Sequence, residues 1–167
     1  YKSVLLLGGA GFIGSHLAIE LSKKMQVVVA DHFTNKEREW FDCQSDNITV
    51  YNTSITELNT IEAIIIKHEI DVMIDLVSLV KYNTNVEFWT IMESQKIRQH
   101  FTCLSKEYNV HYIYISSLDT VTSSNLRPSD YVTDKKNTEN LLIDLSNRRY
   151  IDTTVIRLGS VYGYPMF

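Results

Sequence analysis

Seven residues near the start of the chain, Gly8-Gly9-Ala10-Gly11-Phe12-Ile13-Gly14, constrain its fold more than any other feature. Before them lies a short apolar run, Lys2 to Leu7, that reads as a strand. After them comes a helical pattern in which Ile13, Leu17 and Leu21 recur at four-residue spacing with Ala18 beside them. A strand that turns on glycines straight into a helix offers the helix's unpaired N–H groups and positive dipole end to a diphosphate. Gly9-x-Gly11-x-x-Gly14 needs glycine for three separate reasons: a tight turn, close approach of backbone to the diphosphate, and close packing of helix on sheet. Val27 to Ala30 then forms a second buried strand that ends at Asp31. An acid there can accept hydrogen bonds from both hydroxyls of an adenosine ribose, and its charge repels a 2′-phosphate. NAD rather than NADP is therefore the expected cofactor. Lys36 and Arg38, in the loop that follows, read as solvated charges.

Strand and helix signals alternate along the rest of the chain. Ile48 to Tyr51, Ile70 to Leu76, Val110 to Ile115 and Thr153 to Arg157 read as strands. Between them, Ser54 and Glu57 have the spacing of a capping box for a helix carrying Leu58, Ile61, Ile64 and Ile65. Phe88 to Tyr108 is helical through Ile91, Met92, Ile97, Phe101 and Leu104, and Tyr131 to Arg149 is helical with Leu141, Leu142 and Leu145 inward. Strands apolar on both faces, alternating with amphipathic helices, predict a doubly wound α/β fold: a parallel sheet between two helical layers. The expected strand order is 3-2-1-4-5-6, that of a Rossmann-type sheet. Polar stretches at Phe33 to Asn47 and Leu118 to Asp130 read as loops on the ligand-binding edge.

Composition narrows the function. The 167 residues are 44% hydrophobic and carry a net charge of −4 with interspersed signs, which fits one domain over 1–167 and argues against a nucleic-acid partner. The apolar run Ile70 to Val80 is interrupted by Asp71 and Asp75 and is too short for a bilayer, so no membrane association is expected. Cys43 and Cys103 form no motif, which suits a cytoplasmic setting. His16, His32, His68, His100 and His111 have no metal-ligand spacing, so no metal is expected. The chain begins without methionine and stops just past the sixth strand, and it reads as a piece of something longer.

The opening motif Gly8 to Leu17 resembles that of the extended short-chain dehydrogenase/reductase family, in particular its NAD-dependent nucleotide-sugar epimerases and dehydratases. Asp31-His32-Phe33-Thr34-Asn35 is similar to the family's acidic loop, and Ser116-Ser117 to the serine pair ending its fifth strand. Tyr131-x-x-x-Lys135 matches its catalytic pair, and Arg157-Leu158-Gly159-Ser160-Val161-Tyr162-Gly163 its late Arg…Tyr-Gly segment. In a chain with ten tyrosines the Tyr-Lys spacing alone means little. Its place after the fifth strand's serines and the loop containing Pro128 is what gives it weight.

The resemblance implies cofactor contacts from Gly8, Gly11, Phe12, Ile13, Gly14, Asp31, His32, Ser54, Ile55, Leu76, Val77 and Ser116, together with Tyr131 and Lys135. It implies that Tyr131 takes a proton from a sugar hydroxyl as hydride leaves the same carbon for NAD, that Lys135 favours the phenolate and holds the nicotinamide ribose, and that Ser117 assists. A nucleotide sugar is the implied substrate, and a homodimer through the two long helices the implied assembly. The pattern also departs from the family. Leu118 stands where a catalytic Ser or Thr is usual, with Thr120 nearby, Ser54 replaces an acid, and Asp75-Leu76-Val77-Ser78 replaces the usual end of the fourth strand. The family's C-terminal substrate-binding region is expected to be absent from this chain. The alternative is a non-catalytic or regulatory dinucleotide-binding module of the same fold.

Overall fold

Parallel pairing of short, leucine-rich and β-branched strands organises the chain. The computed structural model describes residues 1–32, 41, 45–78, 88–122 and 129–163. Its strands are β1 (Ser3–Leu7), β2 (Gln26–Asp31), β3 (Ile48–Asn52), β4 (Val72–Asp75), β5 (His111–Ser117) and β6 (Thr153–Leu158). Its helices are α1 (Phe12–Ser22), α2 (Leu58–Lys67), α3 (Phe88–Glu107), the short α4 (Asp119–Thr122) and α5 (Asp130–Asn147). The strands form one six-stranded parallel sheet in the order β3-β2-β1-β4-β5-β6. The order is the expected one, with its switch between β1 and β4, where open α/β sheets bind ligands. The described residues gather into two compact units, one built on Tyr1–Leu76 with Gly163, the other on Val77–Tyr162. None of the described helices is long and apolar enough to cross a membrane.

In the first unit β1 is buried along its whole length, as a strand flanked by parallel neighbours must be. Leu7 lies in register with Ala30 of β2 and with Asp75 of β4, and Asp31 with Asn52 of β3. The carboxyl ends of four strands are therefore level, and the glycine turn, Asp31, Ser54 and Leu76 follow from them. The core here comprises Leu5, Leu6, Leu7, Val28, Val29 and Met73 with Ile61, Ile64 and Ile65 of α2. Helix α1 differs from its apolar pattern: its buried residues are Gly14, Ser15, Ala18 and Ser22, while Ile13, Leu17 and Leu21 are half-buried. Small side chains let the helix axis come close to the sheet. The capping box also forms only in part. The Ser54 N–H donates to Glu57 Oε1 at 3.4 Å, but Ser54 Oγ accepts from Thr56 N–H instead of the helix, and Glu57 becomes the cap of a later-starting α2.

In the second unit β5 and β6 pair with Ser116 opposite Arg157 and Ser117 opposite Leu158. Strand β5 alternates, burying Tyr112, Tyr114 and Ser116, and Ile97, Phe101 and Leu104 of α3 are buried too, whereas Met92 is exposed. The expected loop after β5 contains α4. Helix α5 starts where Ser129 Oγ accepts the Val132 N–H at 3.3 Å, a typical N-cap. Its buried face is Val132, Asp134, Lys135, Thr138, Glu139 and Leu142. The expectation of an inward Leu141 and Leu145 is corrected: both are half-buried, because four polar side chains occupy the inner face.

Candidate functional site

The glycines of the turn divide their tasks by position. Gly8 adopts φ 76°, a left-handed conformation that glycine tolerates without strain, and its N–H donates to the Ala30 carbonyl at 2.9 Å. The tight turn therefore falls on Gly8, one residue ahead of the Gly9-x-Gly11-x-x-Gly14 triplet. A Cβ on Gly9 would lie 2.9 Å from Leu6 Cβ, and one on Gly14 would lie 2.5 Å from Gly9 Cα. Both are closed by the protein itself. Gly11 is different: among the described residues a Cβ there would meet only the Gly8 carbonyl oxygen, at 3.4 Å. No packing among the described residues requires glycine at this position, which caps the N-terminus of α1. The open space and the helix N-terminus together fit a diphosphate drawn close to the backbone.

Asp31 ends β2 beside this turn. Its Oδ2 accepts the Ala10 N–H at 3.0 Å and its Oδ1 the His32 N–H at 2.7 Å. A carboxylate oxygen can accept more than one hydrogen bond, which is the chemistry a ribose diol requires. Phe12 and His16 pack edge to face with ring centroids 5.1 Å apart, and Ile13 is half-buried while His32 is exposed. Ser54 Oγ accepts from the N–H and hydroxyl of Thr56, Ile55 is buried, and the Leu76 N–H donates to the Leu7 carbonyl. Phe33-Thr34-Asn35, Lys36, Arg38, Cys43, Pro128 and the last four residues lie outside the described residues. Among the described residues no cluster of three or more His, Cys, Asp or Glu could hold a metal.

In the second unit, Tyr131 sits in the first turn of α5 and Lys135 one turn later on the same face. Lys135 is 4% exposed. Its Nζ donates to the Ile115 carbonyl at 2.8 Å and lies 4.7 Å from the Tyr114 ring centroid and 5.8 Å from that of Tyr131. The ammonium is thus held beside the half-buried phenol by contacts on β5. Val77, ahead of α3, accepts a 2.8 Å hydrogen bond at its carbonyl from Arg98, a fully buried residue.

Around the serine pair the structure shows a network that the sequence reading missed. Glu139, one turn beyond Lys135, is buried and receives Arg157 through Nε at 3.0 Å and Nη2 at 2.8 Å. The Thr120 hydroxyl lies 2.8 Å from the Ser117 carbonyl and 3.1 Å from Glu139 Oε1, within hydrogen-bond reach of both acceptors. Burial alone would raise the Glu139 pKa, but the hydrogen bonds and charge of Arg157, with the Thr120 hydroxyl beside it, outweigh burial and hold it below the ordinary glutamate value. The Glu139 hydrogen bonds and charge in turn raise that of Arg157. Ser117 Oγ accepts the Asp119 N–H at 3.2 Å, and Leu118 is 44% exposed. The spacing Tyr131, Lys135, Glu139 was the available signal, since three polar residues at four-residue intervals share one helical face.

Comparison with known proteins bears on this arrangement. Residues 4–166 match the model of the NAD dependent epimerase/dehydratase family. The dTDP-D-glucose 4,6-dehydratase of Dictyostelium discoideum is 29% identical over 164 residues, covering 90% of this chain and 35% of that protein. Among solved structures, UDP-glucose 4-epimerase of Thermotoga maritima, with UDP-glucose, superposes with a TM-score of 0.75 at 23% identity over 97% of this chain and 57% of the other. The UDP-glucose 4-epimerase of Bifidobacterium longum, in complex with NAD+ and UDP, gives 0.79 at 21% identity, covering 93% and 52%. The two solved structures share the fold. The chain spans no more than 35% of the length of the curated relatives it matches.

Proposed function

The chain belongs to the NAD dependent epimerase/dehydratase family, and on that premise we propose that residues 1–167 are the NAD-binding domain of an enzyme that transiently oxidises a nucleotide sugar, with Tyr131 as its base. The observation that carries the cofactor half of this reading is Gly11, the turn glycine whose missing side chain no atom among the described residues requires. The glycine turn and the N-terminus of α1 hold the diphosphate, and Asp31 takes the adenosine ribose and disfavours a 2′-phosphate. The names of the relatives, a dehydratase and epimerases of nucleotide sugars, support the substrate class.

NAD, when bound, supplies the two-electron oxidation of a sugar carbinol carbon and its reversal. The residues of the chain handle the proton. A phenol with an ordinary pKa of about 10 is a poor base at neutral pH. The Lys135 ammonium, buried and 5.8 Å from the Tyr131 ring, favours the phenolate, whose oxygen takes the proton of the sugar hydroxyl. The Ser117 hydroxyl, whose oxygen accepts from Asp119, retains its own proton to donate to the substrate oxygen. The grip on the nucleotide half is assigned to chain outside residues 1–167. Two copies pair through α3 and α5, where Met92 and Ile143 are exposed. The setting is cytoplasmic.

One observation favours the non-catalytic alternative. Leu118 is exposed at the position where the family resemblance calls for a Ser or Thr, and the Thr120 hydroxyl is committed to Ser117 and Glu139. Replacing Tyr131 with Phe in the full-length protein decides between the readings. Loss of NAD-dependent oxidation of nucleotide sugars with NAD affinity retained supports the enzyme. A parent protein that binds NAD and oxidises no nucleotide sugar supports the module.

A further inference from the structure

Two buried cations share one buried aromatic ring in the second unit. Tyr114 is fully buried on β5. The Lys135 Nζ lies 4.7 Å from its ring centroid and the Arg98 Cζ 5.9 Å from it. Both distances fall within the range in which a ring's negative face attracts a cation, an attraction that grows when water is excluded. Water is excluded here, since Lys135 is 4% and Arg98 0% exposed. A buried ammonium loses its hydration and tends to shed its proton unless fixed partners compensate. The Ile115 carbonyl, at 2.8 Å, is one such partner. The Tyr114 ring, also on β5, is another, and strand alternation puts it on the same face as Ser116.

We propose that Tyr114 is a positioning residue: its ring holds the Lys135 ammonium charged and in place beside Tyr131, and so sets how readily the Tyr131 phenol ionises. The inference rests on the reading of Tyr131 as the base and deepens it. The ionisable surroundings come from four elements. Helix α5 contributes Tyr131 and Glu139 on the same face as Lys135, β5 contributes Tyr114, α3 contributes Arg98, and β6 contributes Arg157 through its pairing with Glu139. With the ring removed, Lys135 is easier to deprotonate or displace, and the phenolate loses its stabilising neighbour. A ring that merely fills space leaves Tyr131 unchanged when it is replaced by another shape-matched ring.

The test is a ¹³Cζ-tyrosine NMR titration of the full-length protein without coenzyme or substrate, with the Tyr131 signal assigned by Tyr131→Phe. Tyr131 is expected to ionise below the ordinary phenol value in the parent and in Tyr114→Phe, which keeps the ring face. In Tyr114→Leu, and with pentafluorophenylalanine in place of Tyr114, it should ionise about 0.5 to 1.5 pH units higher. The pentafluorinated ring keeps the shape and reverses the charge on the face, so it decides the matter if the leucine variant fails to fold. A low-titrating Tyr131 that does not move with the fluorinated ring overturns the role of Tyr114 and leaves the base assignment standing. A parent Tyr131 that titrates like an ordinary phenol overturns both.

Discussion

The carboxylate of Asp31, at the end of β2, accepts the backbone N–H of Ala10 in the middle of the glycine turn at 3.0 Å. The acid assigned to the ribose is therefore also a brace for the loop assigned to the diphosphate. Replacing Asp31 with Ala should weaken NAD binding at least about tenfold. It should also destabilise the fold by about 1.5 to 3 kcal/mol, the usual range for a hydrogen bond to a charged group. Asp31→Asn removes the charge while keeping an acceptor, so it should lose less stability and narrow the preference for NAD over NADP. Calorimetric titration with the two coenzymes, beside thermal unfolding, checks both effects.

Glu139 and Arg157 predict an acid-sensitive element of stability. The folded chain holds the Glu139 carboxyl below its ordinary value of 4.5. Its contribution is complete above that unfolded-state value and is lost as pH falls through the lower folded-state value. Glu139→Gln should therefore cost about 1 to 3 kcal/mol at pH 7. It should also flatten the decline in stability below about pH 4.5 relative to the parent. Urea unfolding midpoints between pH 7 and pH 3 measure the difference. Parallel curves for parent and variant would remove Glu139 from the acid response.

Leu118 offers a test of lost function. Being 44% exposed, it can be changed at little cost to packing. If the missing hydroxyl limits turnover, Leu118→Ser in the full-length protein should raise kcat for nucleotide-sugar oxidation by about tenfold or more while leaving NAD affinity unchanged. An unchanged rate would assign the donor role to Ser117 alone, and Ser117→Ala should then abolish it.

Apolar runs made the sheet legible, because a parallel strand buried on both faces cannot be polar. Hence β1, β2 and β4, the buried strands of the first unit, lie close to where the sequence places them. The helices were harder. Periodicity assigned Ile13, Leu17 and Leu21 to the inner face of α1, yet Gly14, Ser15, Ala18 and Ser22 are buried, since closeness to the sheet favours small side chains over apolar ones. On α5 the leucines drew attention away from Asp134, Lys135, Thr138 and Glu139. A buried polar face is stabilised by partners on other elements, here Gln95, Ile115, Thr120 and Arg157, and no local pattern encodes those. The turn glycine at Gly8 was likewise invisible, because nothing in a run of glycines says which one takes the positive φ.

The central claim is that the turn after β1 exists to hold a dinucleotide, and Gly11 and Gly14 separate that claim from a purely structural role. In Gly14→Ala the new Cβ would sit 2.5 Å from Gly9 Cα and 2.7 Å from the Gly8 oxygen, backbone against backbone, so destabilisation of about 3 kcal/mol or more is expected. Gly11→Ala meets only a 3.4 Å contact and should keep the fold within about 1 kcal/mol. Calorimetric titration of NAD into the parent and into the folded Gly11→Ala variant is the direct measurement. The account predicts one NAD per chain in the parent and at least about a hundredfold weaker binding in the variant. Equal affinity in the two, or a folded parent that takes up no NAD, would contradict it.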